Sequence, residues 1–187
     1  VGSVWVADET VIDIDGKNVW LWDIIDTKTR FLIATHMSYT RTKSDAVALM
    51  KKAYLKTGKI PRVIYTDKLR AYLDGIELTF GGDTQHRQGS PFDVESNTNI
   101  IERMHGTIKS RTKVMRGLHT LESAKQYMAG WLAHYNFFRP HMSLNDRTPA
   151  QVAGIQFPFK NWKDVVEQPY DKTARIPTHI PKIRITE

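Results

Sequence analysis

Three acids stand where an acid is awkward to place. Asp8 lies inside an apolar, β-branched stretch, Trp5-Val6-Ala7-Asp8-Glu9-Thr10. Asp67 closes a short apolar run, Val63-Ile64-Tyr65-Thr66-Asp67-Lys68. Glu102 opens a helical pattern, Asn97-Thr98-Asn99-Ile100-Ile101-Glu102-Arg103-Met104-His105. An acid within an apolar strand is costly to bury unless it is paired or ligates a metal ion. Three carboxylates with no obligatory cysteine or imidazole make a hard, oxygen-rich set suited to Mg²⁺ or Mn²⁺. Taken singly, each has a plainer reading: a strand-end turn residue for Asp8, a helix cap for Asp67, and a first-turn acid favoured by the helix dipole for Glu102. The combination is what points to chemistry. Zero cysteines excludes disulfides, thiol nucleophiles and cysteine-ligated zinc. Neither His-Glu-x-x-His nor a glycine-rich phosphate loop is present.

The elements that must position these acids follow from the pattern around them. Residues 3–14 are rich in Val, Ile, Thr and Trp and end at Asp15-Gly16, a hairpin signal. Residues 19–25 and 30–36 extend this into a three-stranded antiparallel meander. The period then changes to helical from Asp45, with Ser44 as cap, through Ala46, Leu49, Met50, Ala53 and Tyr54 to Gly58. A helix followed by the buried run at 63–65 is half of a βαβ unit, so this strand is expected parallel to an earlier one, bringing Asp8 and Asp67 to one sheet edge. Residues 76–80 read as one more short strand, and 81–96 as a loop without periodicity. Two helices follow, over 97–115 and 121–138. Within the second, Trp131, Tyr135 and Phe138 recur at helical spacing and read as core. The fold class is therefore α/β, with a mixed sheet flanked by helices.

The charge is uneven. The 187 residues carry a formal net charge of +7, with 41% hydrophobic and 25% charged residues, a composition of one globular core. Residues 1–95 hold 13 basic and 13 acidic groups, whereas 96–187 hold 14 basic and 7 acidic, so a polyanion is expected on the second half. Arg103, Lys109, Arg111, Lys113 and Arg116 follow one another with no acid between them. Asn99, Glu102, His105 and Lys109 share a helix face roughly opposite the apolar stripe. Lys68 and Arg70 follow Asp67 in the same sense. Glu9 is set aside, because it points to the opposite face of the strand from Asp8, and Asp26 reads as a turn residue. Apolar runs such as Val19-Trp20-Leu21-Trp22 are far below the ~18 residues of a membrane span.

The ordered set resembles the catalytic core of the DDE transposase and retroviral-integrase superfamily, which has an RNase H-like fold. The residues carrying the resemblance are Asp8-Glu9-Thr10, Tyr65-Thr66-Asp67-Lys68, and Asn99 to His105 running on to Lys109-Ser110-Arg111, with 34 residues between Asp67 and Glu102. Tyr135-Asn136-Phe137-Phe138-Arg139-Pro140-His141, followed by Leu144 and Thr148-Pro149-Ala150, is similar to the close of the core in insertion-sequence transposases. Small prokaryotic insertion-sequence transposases look most alike. The resemblance implies Asp8, Asp67 and Glu102 as catalytic and metal-binding residues, holding two Mg²⁺ or Mn²⁺ ions for strand cleavage and joining. It implies Lys109 as a phosphate contact near the metals, and the residues around the acids add Lys68, Arg103, His105, Arg111 and Lys113 as expected DNA contacts.

Further expectations are a homodimer or larger assembly on DNA and a prokaryotic, nucleoid-associated cytoplasmic location. The domain division expected is a catalytic core over 1–154 and a basic, proline-containing extension over 155–187. Because the chain opens Val1-Gly2-Ser3, an end-binding region is expected upstream. Two alternatives stay open at this point: a nuclease of the same fold that does not join ends, and a non-catalytic DNA-binding module.

Overall fold

An Asp15-Gly16 turn joins β1 (Val4–Ile14) to β2 (Lys17–Asp26), and both turn residues take positive φ, 53° and 75°. Such a two-residue turn matches the right-handed twist of the flanking strands, and the register runs from Ile14↔Lys17 to Trp5↔Asp26. β3 (Leu32–Ser38) pairs antiparallel with β2. The chain then crosses through α1 (Lys43–Thr57) and returns as β4 (Val63–Thr66), parallel to β1 in the register Val4↔Val63 to Val6↔Tyr65. With β5 (Gln85–Gln88) parallel to β4, the sheet order is β3-β2-β1-β4-β5. This is the mixed sheet of an RNase H-like fold. The computed structural model describes residues 1–88, 99–115 and 118–169.

The two faces of the sheet are covered by different helices, so the alternation along β1 sorts its side chains between two cores. On one face Val6, Ile12, Leu21 and Ile25 pack with Ile101, Met104 and Ile108 of α3 (Asn99–Thr112) and Met128 and Trp131 of α4 (Leu121–Ala133). On the other, Trp5, Ala7, Trp22 and Ile24 pack with Leu49 and Met50 of α1 and Tyr72 and Ile76 of α2 (Arg70–Phe80). Trp5, Trp22 and Tyr72 are fully buried. Beyond α4 the backbone continues as a π-helical turn, His134–Phe138. That turn holds buried Asn136, whose amide accepts from the Leu32 N–H and donates to the Leu32 carbonyl, both at 2.8 Å. One side chain thus satisfies both backbone groups at the start of β3, which otherwise have no ladder partner on that side. Tyr135 and Trp131 are buried as expected, and Phe138 is half-buried against Phe157 and Trp162. The remaining helices are short, α5 (Pro149–Val152) and α6 (Trp162–Val166).

Four expectations change. Residues 76–80 are not a strand but the last turns of α2, because Tyr72, Ile76 and Phe80 are buried at helical spacing while Leu78 is 65% exposed. The stretch read as a loop contains β5, which is polar throughout and formed by backbone pairing alone at the sheet edge. α1 starts at Lys43, capped by Thr42 in a reciprocal box with Asp45, not by Ser44. Finally, His105 belongs to the buried stripe of α3, with Ile101, Met104 and Ile108, rather than to the face opposite it. Asn97, Thr98, Arg116 and the arm beyond Gln168-Pro169 lie outside the described residues. Among the described residues no helix is long and apolar enough to cross a membrane.

Candidate active site

β1 has eleven residues and β4 only four, so β1 outruns its parallel neighbour. Since Val6 pairs with Tyr65, the continued register puts Asp67 level with Asp8, where β4 has ended and its chain turns away. The turn is set by Asp67 itself, whose Oδ1 accepts from the Leu69 N–H at 2.8 Å. α2 is capped by Leu69 and begins at Arg70, so Asp67 is a turn residue and not the helix cap. Next to it, the buried Thr66 hydroxyl meets His86 Nε2 of β5 at 2.8 Å, which ties the sheet edge to the site.

One carboxylate oxygen each from Asp8, Glu9 and Asp67 lies within 4.8 Å of the others. Glu9 does point to the opposite face from Asp8, but past the end of β4 both faces open onto the same edge. Its side chain is only 2% exposed. Arg41, in the connection between β3 and α1, donates from Nε to Glu9 Oε1 at 2.9 Å and from Nη2 to the same oxygen, and Nη2 lies 3.9 Å from Asp67 Oδ2. Burial pushes the Glu9 carboxyl up, and the neighbouring Tyr72 hydroxyl and Arg41 only partly oppose this.

On the α3 face, Asp8 stands directly across the strand pair from Asp23. His105 lies between them, its Nε2 3.0 Å from Asp23 Oδ2 and its Nδ1 3.4 Å from Asp8 Oδ2. Burial alone would lower the imidazole pKa, but the two hydrogen bonds and two negative charges outweigh it and raise it to about 9. Burial also pushes up the Asp23 carboxyl, so the proton between them is held by the pair. The ring is 6% exposed and lies against both carboxylates, so its two nitrogens face Asp8 and Asp23.

Glu102 is exposed in the first turn of α3, one turn before His105, and is not in the group drawn together around Asp8. Lys68, Arg103, Lys109, Arg111 and Lys113 are all exposed. Arg111 lies over the Trp131 ring at 5.4 Å. Lys109 and Lys113 line a cleft of about 430 Å³ with Asp13 and Asp15, toward the β1–β2 hairpin. Asp26 is structural, accepting from the Gly2 N–H at 2.8 Å and the Thr29 hydroxyl at 2.5 Å. Glu9 and Arg41 are the residues that sequence reasoning missed. Glu9 was visible beside Asp8, whereas Arg41 sits in a polar connection with no pattern to mark it.

The DDE domain family model matches residues 2–141. The chain belongs to the DDE domain family. Three solved structures are similar to this DDE domain. The catalytic core domain of HTLV-2 integrase, in complex with magnesium and in trimeric form, matches with a TM-score of 0.64 at 17% identity, over 81% of this chain and 95% of that one. The catalytic core domain of BIV integrase matches with a TM-score of 0.61 at 15% identity, over 81% and 93%. The simian T-cell lymphotropic virus intasome, in complex with a PP2A regulatory subunit, matches with a TM-score of 0.57 at 16% identity, over 96% of this chain and 59% of that one. At these identities the likeness is one of fold. Curated proteins give no match.

The donor set of this DDE domain fits a hard divalent cation. Asp8, Glu9 and Asp67 supply only carboxylate oxygens, one from each lying within 4.8 Å of the others.

Proposed function

We propose that this chain is the catalytic domain of an insertion-sequence transposase, a metal-dependent enzyme that cleaves a DNA strand and joins the end to a target. The observation that carries this reading is the convergence of Asp8 and Asp67 at the edge of an RNase H-like sheet. In the cleavage step a water oxygen bonds to phosphorus as the P–O3′ bond breaks, leaving a 3′-hydroxyl and a 5′-phosphate. In the joining step that 3′-hydroxyl bonds to phosphorus of the target, and the target's own 3′-oxygen leaves. Bound Mg²⁺ or Mn²⁺, as two ions in this reading, supplies Lewis-acid polarisation of the phosphoryl group and a more acidic nucleophile.

The residues of the chain do the positioning. Asp8 and Asp67 hold the cation, with Glu102 completing the set from α3. His105 fixes Asp8 Oδ2 from behind. Lys68, Arg103, Lys109, Arg111 and Lys113 contact the DNA backbone, which places the strand without reading its sequence. The core spans 1–154, with 155–187 as an extension. The trimeric integrase core and the intasome support an assembly of at least two copies on DNA. The nucleoid of a prokaryotic cytoplasm is the place where such an enzyme meets both element and target.

The test is a plasmid assay with Mg²⁺ or Mn²⁺, run beside Asp67→Asn and a chelator. Nicked and joined products that need the metal and vanish in Asp67→Asn are expected. Nicks without joined products would make it a nuclease. Metal-independent DNA binding with no Mn²⁺ uptake through Asp8 and Asp67 would make it a binding module.

A further inference from the structure

We propose that Arg41 is a phosphate-binding arginine of this site, held on Glu9 and Asp67 in the cation-free protein and released from Asp67 toward the DNA strand once a divalent cation takes that carboxylate. The proposal rests on the metal-dependent reading above and adds a residue to it. Arg41 is anchored at two points that do not depend on Asp67. Its guanidinium lies 4.6 Å over the Trp20 ring, and its Nε and Nη2 both donate to Glu9 Oε1. The third contact, Nη2 to Asp67 Oδ2, is long at 3.9 Å. A contact of that length is the weakest of the three and the first to give way.

The charges make the exchange favourable. Without a cation, Arg41 is the group that offsets the negative charge shared by Glu9 and Asp67. A divalent cation on Asp67 takes over that role and repels the guanidinium, while Trp20 and Glu9 keep it at the sheet edge. Arginine has five N–H donors in a planar fork, and Nη1 makes no hydrogen bond among the described residues. The side chain is 39% exposed, whereas Glu9 beneath it is 2% exposed, so the donors left over face solvent beside the carboxylates. A phosphate oxygen is the acceptor this fork matches best.

The test compares the wild-type chain with Arg41→Gln and Arg41→Lys, using calorimetry with Mn²⁺ alone and fluorescence anisotropy with a short labelled duplex. In EDTA, Arg41→Gln should weaken duplex binding far less than in Ca²⁺, because Glu9 and Asp67 offset the charge of Arg41 and hold its Nε and Nη2. In Ca²⁺, Arg41→Gln should bind about tenfold more weakly, with part of the loss restored in Arg41→Lys. Mn²⁺ should bind Arg41→Gln at least as tightly as wild type, since a competitor has gone. If Arg41→Gln folds poorly with Glu9 left unpaired, the double variant Glu9→Gln/Arg41→Gln removes both charges and, compared with Glu9→Gln alone at saturating Ca²⁺, should show the same loss. Equal duplex affinity in Ca²⁺, or weaker Mn²⁺ binding with unchanged duplex affinity, would reduce Arg41 to a prop for Glu9 and overturn the proposal alone. Wild-type protein that takes up no Mn²⁺ through Asp8 and Asp67 would overturn the proposal and the metal-dependent reading together.

Discussion

His105 separates two carboxylates that face each other across a strand pair, where like charges repel. Asp23 is fully buried, so it depends on the imidazole for its only side-chain partner among the described residues. His105→Ala should therefore cost on the order of 3–5 kcal/mol in urea unfolding, the range for removing one member of a buried ion pair. Asp23→Asn in the same background should recover part of it, because the orphaned charge is gone, and strictly additive losses would show the two residues to be uncoupled. Asp8 and Asp67 were legible in the sequence, as acids in apolar runs. The burial of His105 was not, because helical spacing places it between the apolar stripe and the polar face and only its partners decide the matter. Glu9 does face away from Asp8 along the strand, and only the early end of β4 brings the two to one edge.

At the scale of elements, α1 is fastened at its start and pressed close along its side. Burial works against the charge of Asp45, but hydrogen bonds from the Thr42 N–H at 2.9 Å, the Thr42 hydroxyl at 2.8 Å and the Thr40 hydroxyl at 2.8 Å outweigh it and hold the pKa at about 2. A carboxylate depressed on folding contributes stability that is present above its unfolded value of 3.8 and lost as pH falls through about 2. Asp45→Asn should abolish a pH dependence worth about 2 kcal/mol in that window, read from urea midpoints of the two proteins between those pH values. Along α2, a Cβ at Gly75 would lie 2.8 Å from the Ala46 Cβ and 3.1 Å from its carbonyl carbon. Gly→Ala in a helix usually gains up to ~1 kcal/mol. Here Gly75→Ala should instead lower stability by about 1–3 kcal/mol, since backbone atoms of α1 would have to move, and a raised melting temperature would contradict the close approach.

At the scale of the molecule, the sheet separates two cores and leaves one edge, past the end of β4, where side chains from both faces meet. The basic excess of the second half is carried in part by the exposed Arg103, Lys109, Arg111 and Lys113 of α3 and the residues just after it. DNA binding by such a surface should weaken linearly on a log–log plot as salt rises. Lys109→Ala with Lys113→Ala should reduce that slope by about 2 and weaken binding to all sequences alike, measured by anisotropy over a salt series. An unchanged slope would place the DNA elsewhere on the molecule.

The strands, the crossover helix, the parallel β4 and the placing of Asp8 level with Asp67 follow from local signals: alternation, helical period, turn residues and acids in apolar runs. Periodicity reports how a segment meets its nearest layer, and these features are all of that kind. The strand β5, the helical end of α2, the buried His105 and the Glu9–Arg41 pair were decided by tertiary structure. β5 exists because β4 offers it an open backbone edge, and no side-chain pattern is needed for that. Residues 76–80 alternate well enough for a strand, and only the packing of α2 against α1 selects the helix. Glu9 and Arg41 come from segments 32 residues apart and meet because one strand is longer than its neighbour, a relation between elements that no single segment encodes.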